Sequence, residues 1–384
     1  MSLLRKIFFI LTALLCAAQA VAQTQQQLQT IAPTLAAKSW LLLEVGSGQI
    51  LAADNPDERI DPASLTKLMT AYLTFSALHQ KTLSLDQTLP VSEKAWRTGG
   101  SKMFVRVGHL VPVDDLVKGM IVQSGNDACV VLAEAIAGSE ENFAQMMNRE
   151  AERLGMKNSS FRNSTGLPDP QHFTTARDLS LLASALIRDF PEEYRRYYSM
   201  KEFSYNNIRQ PNRNRLLWLD PTVDGMKTGH TEAAGYCLIS SALRGPRRLL
   251  SVVLGTASDS VRASESLKLL NWGFSSWEAV PLYSKGRAIS PVRVWKGAQN
   301  QVQAGFAHDF IIAVPKGMAS QLKSELIPQS PLLAPIQAGQ PIGVLKLSLD
   351  GKPYGIDYPV LALESVPQAG VVGRAVDTVK LWFH

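Results

Sequence analysis

The chain has 384 residues, more than the roughly 100 to 200 of one typical domain, so its length favours two domains. Hydrophobic residues make up 46% of it, which is ample for a packed core. The formal charge is +6, but the sequence has no Lys/Arg block or aromatic-basic motif that would indicate nucleic-acid binding. Of its three cysteines, only Cys129 and Cys237 lie beyond the N-terminal segment, which excludes a disulfide framework and predicts two buried thiols.

The first 22 residues have the pattern of a secretory signal peptide. Arg5 and Lys6 precede an apolar run from residue 7 to residue 18, and Ala20 and Ala22 frame a cleavage site of small residues. The run is shorter than the roughly 20 residues of a membrane-spanning helix. Cleavage after Ala22 removes two of the 39 basic residues. The remaining 37 basic and 33 acidic residues give the mature chain a charge of +4. This excess suits an anionic lipid or cell-wall polymer, and solubility explains it equally well.

Helical spacing of apolar residues dominates the chain from Leu65 to about residue 220. The spacing from Leu65 to Leu73 predicts one face of a helix, another helix follows Asp114 and Asp115, and "NDACVVLAEAIAG" predicts a buried helix that ends at Gly138. After residue 221, "GYCLISSAL" and "LLSVVLGTA" predict an antiparallel hairpin. Helices packed on an antiparallel sheet give an α+β fold, which we assign to residues 23–281.

The remaining sequence is rich in short strands. Segments such as "DFIIAVPKG" and "QPIGVLKLSLDGK" are separated by Gly, Pro and Asp turns, and they predict an all-β domain over residues 282–366. Residues 367–384 follow it as a short terminal helix.

Ser64 and Lys67 in "PASLTKLMTAY" form the first candidate site. Residues three apart lie on one face of a helix, so a hydroxyl and an amine come within hydrogen-bond reach. The apolar neighbours would remove water from the amine and lower its pKa, as a general base requires. The alternative is a surface lysine whose stem lies along an amphipathic helix.

Two later motifs supply partners for such a pair. "QSGND" places Ser124 and Asn126 on a loop between two helices, where a second hydroxyl can relay protons and an amide can bind a substrate carbonyl; a helix-capping turn is the alternative. "DGMKTGHTEAAGYC" places Lys227, Thr228 and Gly229 at the start of a strand. There a cation and a hydroxyl could meet a substrate carboxylate while the glycine lets a substrate backbone lie along the edge; an ordinary charged edge strand is the alternative.

The order S-x-x-K, S-G-N about 60 residues later and K-T-G about 100 residues after that matches the active-site motifs of penicillin-binding proteins and β-lactamases. With "SGNDAC", "TARDL" and "DGMKTGHTEAAGYCL", the sequence resembles the low-molecular-mass penicillin-binding proteins of the D-alanyl-D-alanine carboxypeptidase type. The resemblance implies a penicillin-binding α+β domain, a small all-β domain and a terminal amphipathic helix. It also implies a serine-type hydrolase that removes D-alanine from peptidoglycan pentapeptide stems, is acylated by penicillin and uses no metal ion or cofactor.

The resemblance also implies residue roles. Ser64 corresponds to the acylated nucleophile and Lys67 to its base, while Ser124 and Asn126 correspond to the proton relay and a substrate-binding amide. Lys227 and Thr228 correspond to the contacts of the substrate carboxylate. The backbone amides of Ser64 and His230 correspond to the oxyanion hole, and Arg262 corresponds to an arginine near the substrate carboxylate. A surface charge at a helix start is the alternative for Arg262.

Other activities use related motifs. A class A β-lactamase would also position a glutamate for the deacylating water. The comparable stretch here, "NSTGLPDPQHFTTARDL", does not resemble that segment. A D,D-endopeptidase that cuts peptidoglycan crosslinks shares all three motifs and stays open. An inactive wall-binding module would be expected to lack one of them.

The last segment, "GVVGRAVDTVKLWFH", predicts a membrane-surface helix. Val372, Val376, Val379 and Phe383 recur at helical spacing, and Trp382 suits a lipid interface. The segment is too short to span a bilayer. The resemblance to membrane-anchored carboxypeptidases favours weak binding to the periplasmic side of the inner membrane over a helix docked on the protein.

Overall fold

The computed structural model describes residues 31–382, and these divide into two compact units. The first unit is Ala32–Phe274 and the second begins at Ser275. The signal peptide predicted for residues 1–22 lies outside the described residues, as does Phe383.

The first unit is built on one antiparallel sheet. Its strands lie in the order β2, β1, β9, β8, β7, so β7 forms an edge. The strands of the unit are β1 (Ser39–Glu44), β2 (Gln49–Asp54), β3 (Thr88–Pro90), β4 (Leu110–Pro112), β5 (Glu202–Tyr205), β6 (Ile208–Pro211), β7 (Val223–Thr231), β8 (Gly235–Arg244) and β9 (Arg247–Thr256).

Helices cover this sheet. They are α1 (Lys67–His79), α2 (Glu93–Arg97), α3 (Val113–Val122), α4 (Asn126–Ala137), α5 (Glu140–Arg153), α6 (Ala176–Asp189), α7 (Pro191–Tyr197), α8 (Leu216–Leu219) and α9 (Asp259–Ser276), which runs across the boundary between the units. Local sequence sets several of their ends: the Ser139 hydroxyl accepts from Asn142 N at the start of α5, and Gly138 ends α4 with a φ of +76°.

The two faces of the sheet pack against different helices because strand side chains alternate. Leu41 and Leu43 of β1 belong to the apolar cluster shared with α1 to α6. Leu42 points the other way: a Cβ on Gly273 of α9 would lie 2.5 Å from Leu42 Cδ2. The predicted α+β fold is confirmed, and so are the two buried, unpaired thiols.

Helix α1 differs from the sequence-based prediction of a helix with one buried face. Every residue from Lys67 to Phe75 is buried, Ser76 and Leu78 are partly exposed, and His79 at the end of the helix is exposed. The physical reason is that α3, α4, α5 and α6 all pack against the helix, so no side of it faces solvent between Lys67 and Phe75. A lysine in this helix therefore has no route to water along its stem.

The second unit is an antiparallel β structure with a terminal helix. Strands β11, β12, β16, β15 and β14 form one sheet in that order, and β10 pairs with β13. The strands are β10 (Trp277–Tyr283), β11 (Ser290–Arg293), β12 (Gln301–Gly305), β13 (Phe310–Pro315), β14 (Leu322–Pro328), β15 (Pro341–Leu349) and β16 (Lys352–Ala362), and α10 is Val371–Leu381. The unit begins before the predicted residue 282 because β10 belongs to its sheets. Across residues 31–382, no helix combines the length and apolarity needed to cross a bilayer.

Candidate active site

Ser64 lies on a short 3-10 turn, Ala63–Thr66, that leads directly into α1. Ala63 has a φ of +47°, and its N–H donates to Asp61 Oδ1 at 3.0 Å. The other oxygen of Asp61 accepts from Thr231 Oγ1 at 3.3 Å, which ties the turn to the end of β7. The serine is therefore held beside the edge strand of the sheet.

Lys67 is the first residue of α1 and is 1% exposed. Its Nζ lies 2.8 Å from Ser64 Oγ and donates to the Thr165 carbonyl oxygen at 2.6 Å. Burial lowers the pKa of this amine to about 8, because the charged form loses its hydration. A useful fraction of the amine is then neutral near neutral pH.

Ser124 lies between α3 and α4 and faces the same site. Its φ is +62°, in the left-handed region, and its Oγ accepts from Lys227 Nζ at 3.0 Å. Lys227 is 3% exposed, and burial, followed by the charge of Lys67, lowers the pKa of its amine well below the usual range. Two lysines thus lie beside two serine hydroxyls in one buried cluster.

Asn126 is the first residue of α4, not a loop residue as predicted. Its Nδ2 donates to Gly99 O at 2.7 Å, and its buried Oδ1 has no hydrogen-bond partner among residues 31–382. Its N–H donates to Ser101 O at 2.7 Å. Asn126 therefore anchors the 99–101 segment at the site and keeps one acceptor available.

A pocket of about 390 Å³ opens at this cluster. The predicted residues among those that line it are Ser64, Ser124, Thr228, Gly229, His230 and Arg262. The structure thus brings all three motifs together, with Lys67 and Lys227 buried behind the serines.

Gly229 has a structural role that the sequence does not indicate. A Cβ at this position would lie 3.1 Å from Leu65 Cγ and 3.2 Å from Pro62 O. The absent side chain therefore makes room for the Ser64 turn against β7, and Gly229 also lines the pocket, where the predicted contact with a substrate backbone stays a prediction.

Arg262 lines the pocket, but its guanidinium is already engaged. Nη1 donates to Gly229 O at 3.0 Å, and Nη2 pairs with Asp259. Arg262 therefore braces the strand that carries Thr228.

Sequence reasoning missed Arg213, which also lines the pocket. The residue is exposed as a whole, burial still lowers the pKa of its guanidinium, and that group has no hydrogen-bonded partner within residues 31–382. It lies between Asn212 and Asn214, whose buried side chains fix this loop. The pattern N-R-N at residues 212–214 is the only local signal in the sequence for this position. Tyr236, Gly100 and Ser101 were also missed; they line the pocket too.

Comparison with known proteins assigns this site to a family. Residues 23–258 match the peptidase S11 sequence model, described as D-alanyl-D-alanine carboxypeptidase, and residues 277–368 match the C-terminal domain of penicillin-binding protein 5. The chain belongs to the D-alanyl-D-alanine carboxypeptidase family. It is therefore a serine-type carboxypeptidase by family, as the three motifs predicted.

Several relatives match this carboxypeptidase over nearly their full length. D-alanyl-D-alanine carboxypeptidase DacC of Escherichia coli is 44% identical over 93% of this chain and 91% of its own. DacA of Haemophilus influenzae is 41% identical over 98% of this chain and 97% of its own. Crystal structures of penicillin-binding protein 5 from H. influenzae superpose with a TM-score of 0.79 at 42% identity, covering 88% of this chain and 99% of that one. The predicted order of an α+β domain followed by a β-rich domain is confirmed.

Proposed function

We propose that this protein removes the terminal D-alanine from peptidoglycan pentapeptide stems through an acyl-enzyme on Ser64. The observation that carries the proposal is the buried Lys67 amine, which lies 2.8 Å from Ser64 Oγ, behind the serines of a pocket that Arg213 and Arg262 line. A neutral amine there can take the serine proton, and the cations suit the free carboxylate of a terminal residue.

The reaction has two steps. Ser64 Oγ attacks the carbonyl carbon of the penultimate D-alanine while its proton passes to Lys67 Nζ. The C–N bond then breaks, and the departing amine of the terminal D-alanine takes that proton from Lys67 through Ser124, whose Oγ lies 3.0 Å from Lys227 Nζ. In the second step water attacks the ester and gives a proton to Lys67, which passes it to Ser64 Oγ as the C–O bond to the serine breaks.

Substrate binding uses the edge strand. The N–H groups of Ser64 and His230 are the proposed oxyanion hole, a function worth roughly 2.7 to 4 kcal/mol per donor in related chemistry. Thr228 and Arg213 bind the substrate carboxylate. Lys227 is buried behind them and donates a hydrogen bond to Ser124 Oγ. Arg262 supports Thr228 by holding the Gly229 carbonyl.

The same site predicts slow release of penicillin. In the described part of the chain, no Asp or Glu lines the pocket, so no carboxylate is placed to activate a deacylating water as in a class A β-lactamase. Penicillin should therefore acylate Ser64 and stay bound for minutes or longer. A related penicillin-binding protein D2 of Listeria monocytogenes, 32% identical with a TM-score of 0.58, has been solved in an ampicillin-bound form.

The test uses a peptide that ends in D-alanyl-D-alanine. The wild type should release free D-alanine and be labelled by a fluorescent penicillin, and Ser64→Ala should do neither. A crosslinked peptidoglycan dimer offered in parallel measures the endopeptidase alternative. Penicillin labelling that persists in Ser64→Ala would refute the assignment of the nucleophile.

We also propose that α10 holds the protein at the periplasmic side of the inner membrane. Val372, Val376, Val379 and Trp382 are exposed. On the other side of the helix, the Asp377 carboxylate accepts from Lys296 N at 2.6 Å. Within the second unit, the helix thus presents its apolar side outward, which suits weak burial at a lipid interface.

Vesicle binding tests this proposal. The full mature chain should co-sediment with vesicles of phosphatidylethanolamine and phosphatidylglycerol, and truncation after Gly370 should release it while penicillin labelling persists. Serine at Val372, Val376 and Val379 should have the same effect, whereas Val107→Ser, at an exposed valine of the first unit, should not. Equal sedimentation of full and truncated chains would contradict the proposed anchor.

A further inference from the structure

A five-residue turn at positions 163–167 contacts the catalytic helix α1 at two points and the Ser64 turn at a third. Ser164 O accepts from Thr70 Oγ1 at 2.6 Å, and Thr165 O accepts from Lys67 Nζ at 2.6 Å. Gly166, with a φ of +84°, approaches so closely that a Cβ on it would lie 1.7 Å from Ala63 O. The 163–167 turn therefore determines where the Lys67 amine meets its backbone acceptor.

The shape of this turn depends on the side chain of Asn163. Its Oδ1 accepts from Thr165 N at 3.2 Å, from Thr165 Oγ1 at 3.0 Å and from Gly166 N at 2.7 Å. Its Nδ2 donates to Leu167 O at 2.9 Å, which closes the turn from the other end. The amide thereby fixes the Thr165–Gly166 peptide, whose oxygen is the Lys67 acceptor.

The direction of the Lys67 lone pair follows from that acceptor. A neutral amine has two N–H bonds and one lone pair. When one N–H points at Thr165 O, rotation about the Cε–Nζ bond is restricted and the lone pair can face Ser64 Oγ. Without a fixed acceptor, an N–H can point at the serine instead, and that geometry cannot take the serine proton.

We propose that Asn163 is a positioning residue for acylation: it fixes the Thr165 carbonyl, which in turn orients the lone pair of neutral Lys67 toward Ser64 Oγ. This inference rests on the proposed role of Lys67 as the base. Asn163 itself does not line the pocket and makes no contact with the reacting atoms.

The test compares two substitutions of similar size. Asn163→Leu removes all four hydrogen bonds, whereas the carboxylate of Asn163→Asp can still accept from Thr165 and Gly166. The first-order rate of acylation by a fluorescent penicillin within the pre-covalent complex should fall roughly tenfold to hundredfold in Asn163→Leu. It should stay within about threefold of wild type in Asn163→Asp, with the dissociation constant of the pre-covalent complex little changed in both.

Asn148→Leu is the matched control. Asn148 also makes three side-chain hydrogen bonds to backbone, but they hold Phe161 and Ala144 and do not reach the 163–167 turn. It should lower the thermal midpoint about as much as Asn163→Leu and leave the acylation rate near wild type.

Three results would overturn the positioning role: wild-type acylation in Asn163→Leu, equal loss in Asn163→Asp and Asn163→Leu, or equal loss in Asn148→Leu. A wild type that penicillin does not acylate would instead refute the proposed function. Thermal unfolding of each variant measures its folded fraction, which separates slow acylation from failure to fold.

Discussion

Lys67 Nζ lies between Ser64 Oγ and Thr165 O in a site from which water is almost excluded. Burial lowers the pKa of this amine to about 8, so about one amine in ten is neutral at pH 7. Below that pKa, a proton occupies the lone pair that must accept the serine proton. Acylation should therefore be lost as pH falls and gained as pH rises.

We expect the logarithm of the acylation rate constant to rise by about one per pH unit up to about pH 8 and then level off. Stopped-flow labelling with a fluorescent penicillin, with the folded fraction checked at each pH, measures the profile. A rate that stays flat from pH 6 to pH 9 would contradict a base that titrates at Lys67.

Replacing Lys67 with arginine separates charge from basicity. Arginine keeps a positive charge but does not deprotonate in proteins, so Lys67→Arg should lower the acylation rate by roughly 10²- to 10⁴-fold. Fluorescent penicillin labelling gives the rate. Lys81→Arg, at an exposed turn after α1, is the control and should label normally. Near-normal acylation in Lys67→Arg would show that a neutral amine is not required.

At the scale of elements, the start of α4 organises the loop on the far side of the pocket. The Asp127 carboxylate accepts from Met103 N at 2.9 Å, Phe104 N at 2.9 Å and Val105 N at 3.2 Å. The same loop carries Gly100 and Ser101, which line the pocket. One buried carboxylate thus holds a substrate-facing segment.

Asp127→Ala should lower the free energy of unfolding by roughly 3 kcal/mol, because several buried N–H groups lose their acceptor. It should also raise KM for the D-alanyl-D-alanine peptide more than it lowers kcat, since the loop lines the pocket at Gly100 and Ser101 but carries none of the proposed reacting groups. Urea unfolding and D-alanine release measure the two effects. Asp57→Ala, which breaks an exposed pair with Arg177, should change neither by much. An unchanged KM in Asp127→Ala would show that the loop does not contribute to substrate binding.

Contacts close in sequence could be predicted, and contacts distant in sequence could not. Helical periodicity alone places Lys67 beside Ser64, three residues away. Nothing in the sequence indicates that the second partner of Lys67 is a backbone oxygen 98 residues later. Gly229 was noticed for its missing side chain, but only the fold reveals that the Ser64 turn fills that space. Arg213 was missed because its position depends on two buried asparagines in an irregular loop.

At the scale of the whole molecule, the boundary between the units falls in the last turn of α9. Arg262 near its start donates to Gly229 O at 3.0 Å, and Asn271 Oδ1 near its end accepts from Arg244 Nη2 at 2.7 Å. Strand β10, which begins at Trp277, pairs with β13 of the second unit instead. Helix α9 therefore belongs to the first unit almost to its end, and the strands from β10 onward belong to the second.

A fragment of residues 23–276 should fold alone and be acylated by penicillin within about twofold of the full chain, because the pocket and its supports all lie in the first unit. A fragment of residues 23–258 should fail to fold or label. It lacks Arg262 and removes Leu269 and Leu270, two fully buried side chains worth roughly 1.5 to 3 kcal/mol each. Thermal unfolding followed by circular dichroism, together with fluorescent penicillin labelling, measures both outcomes. If the 23–276 fragment unfolds without cooperativity, or if the 23–258 fragment labels as well as the full chain, α9 does not complete the catalytic unit.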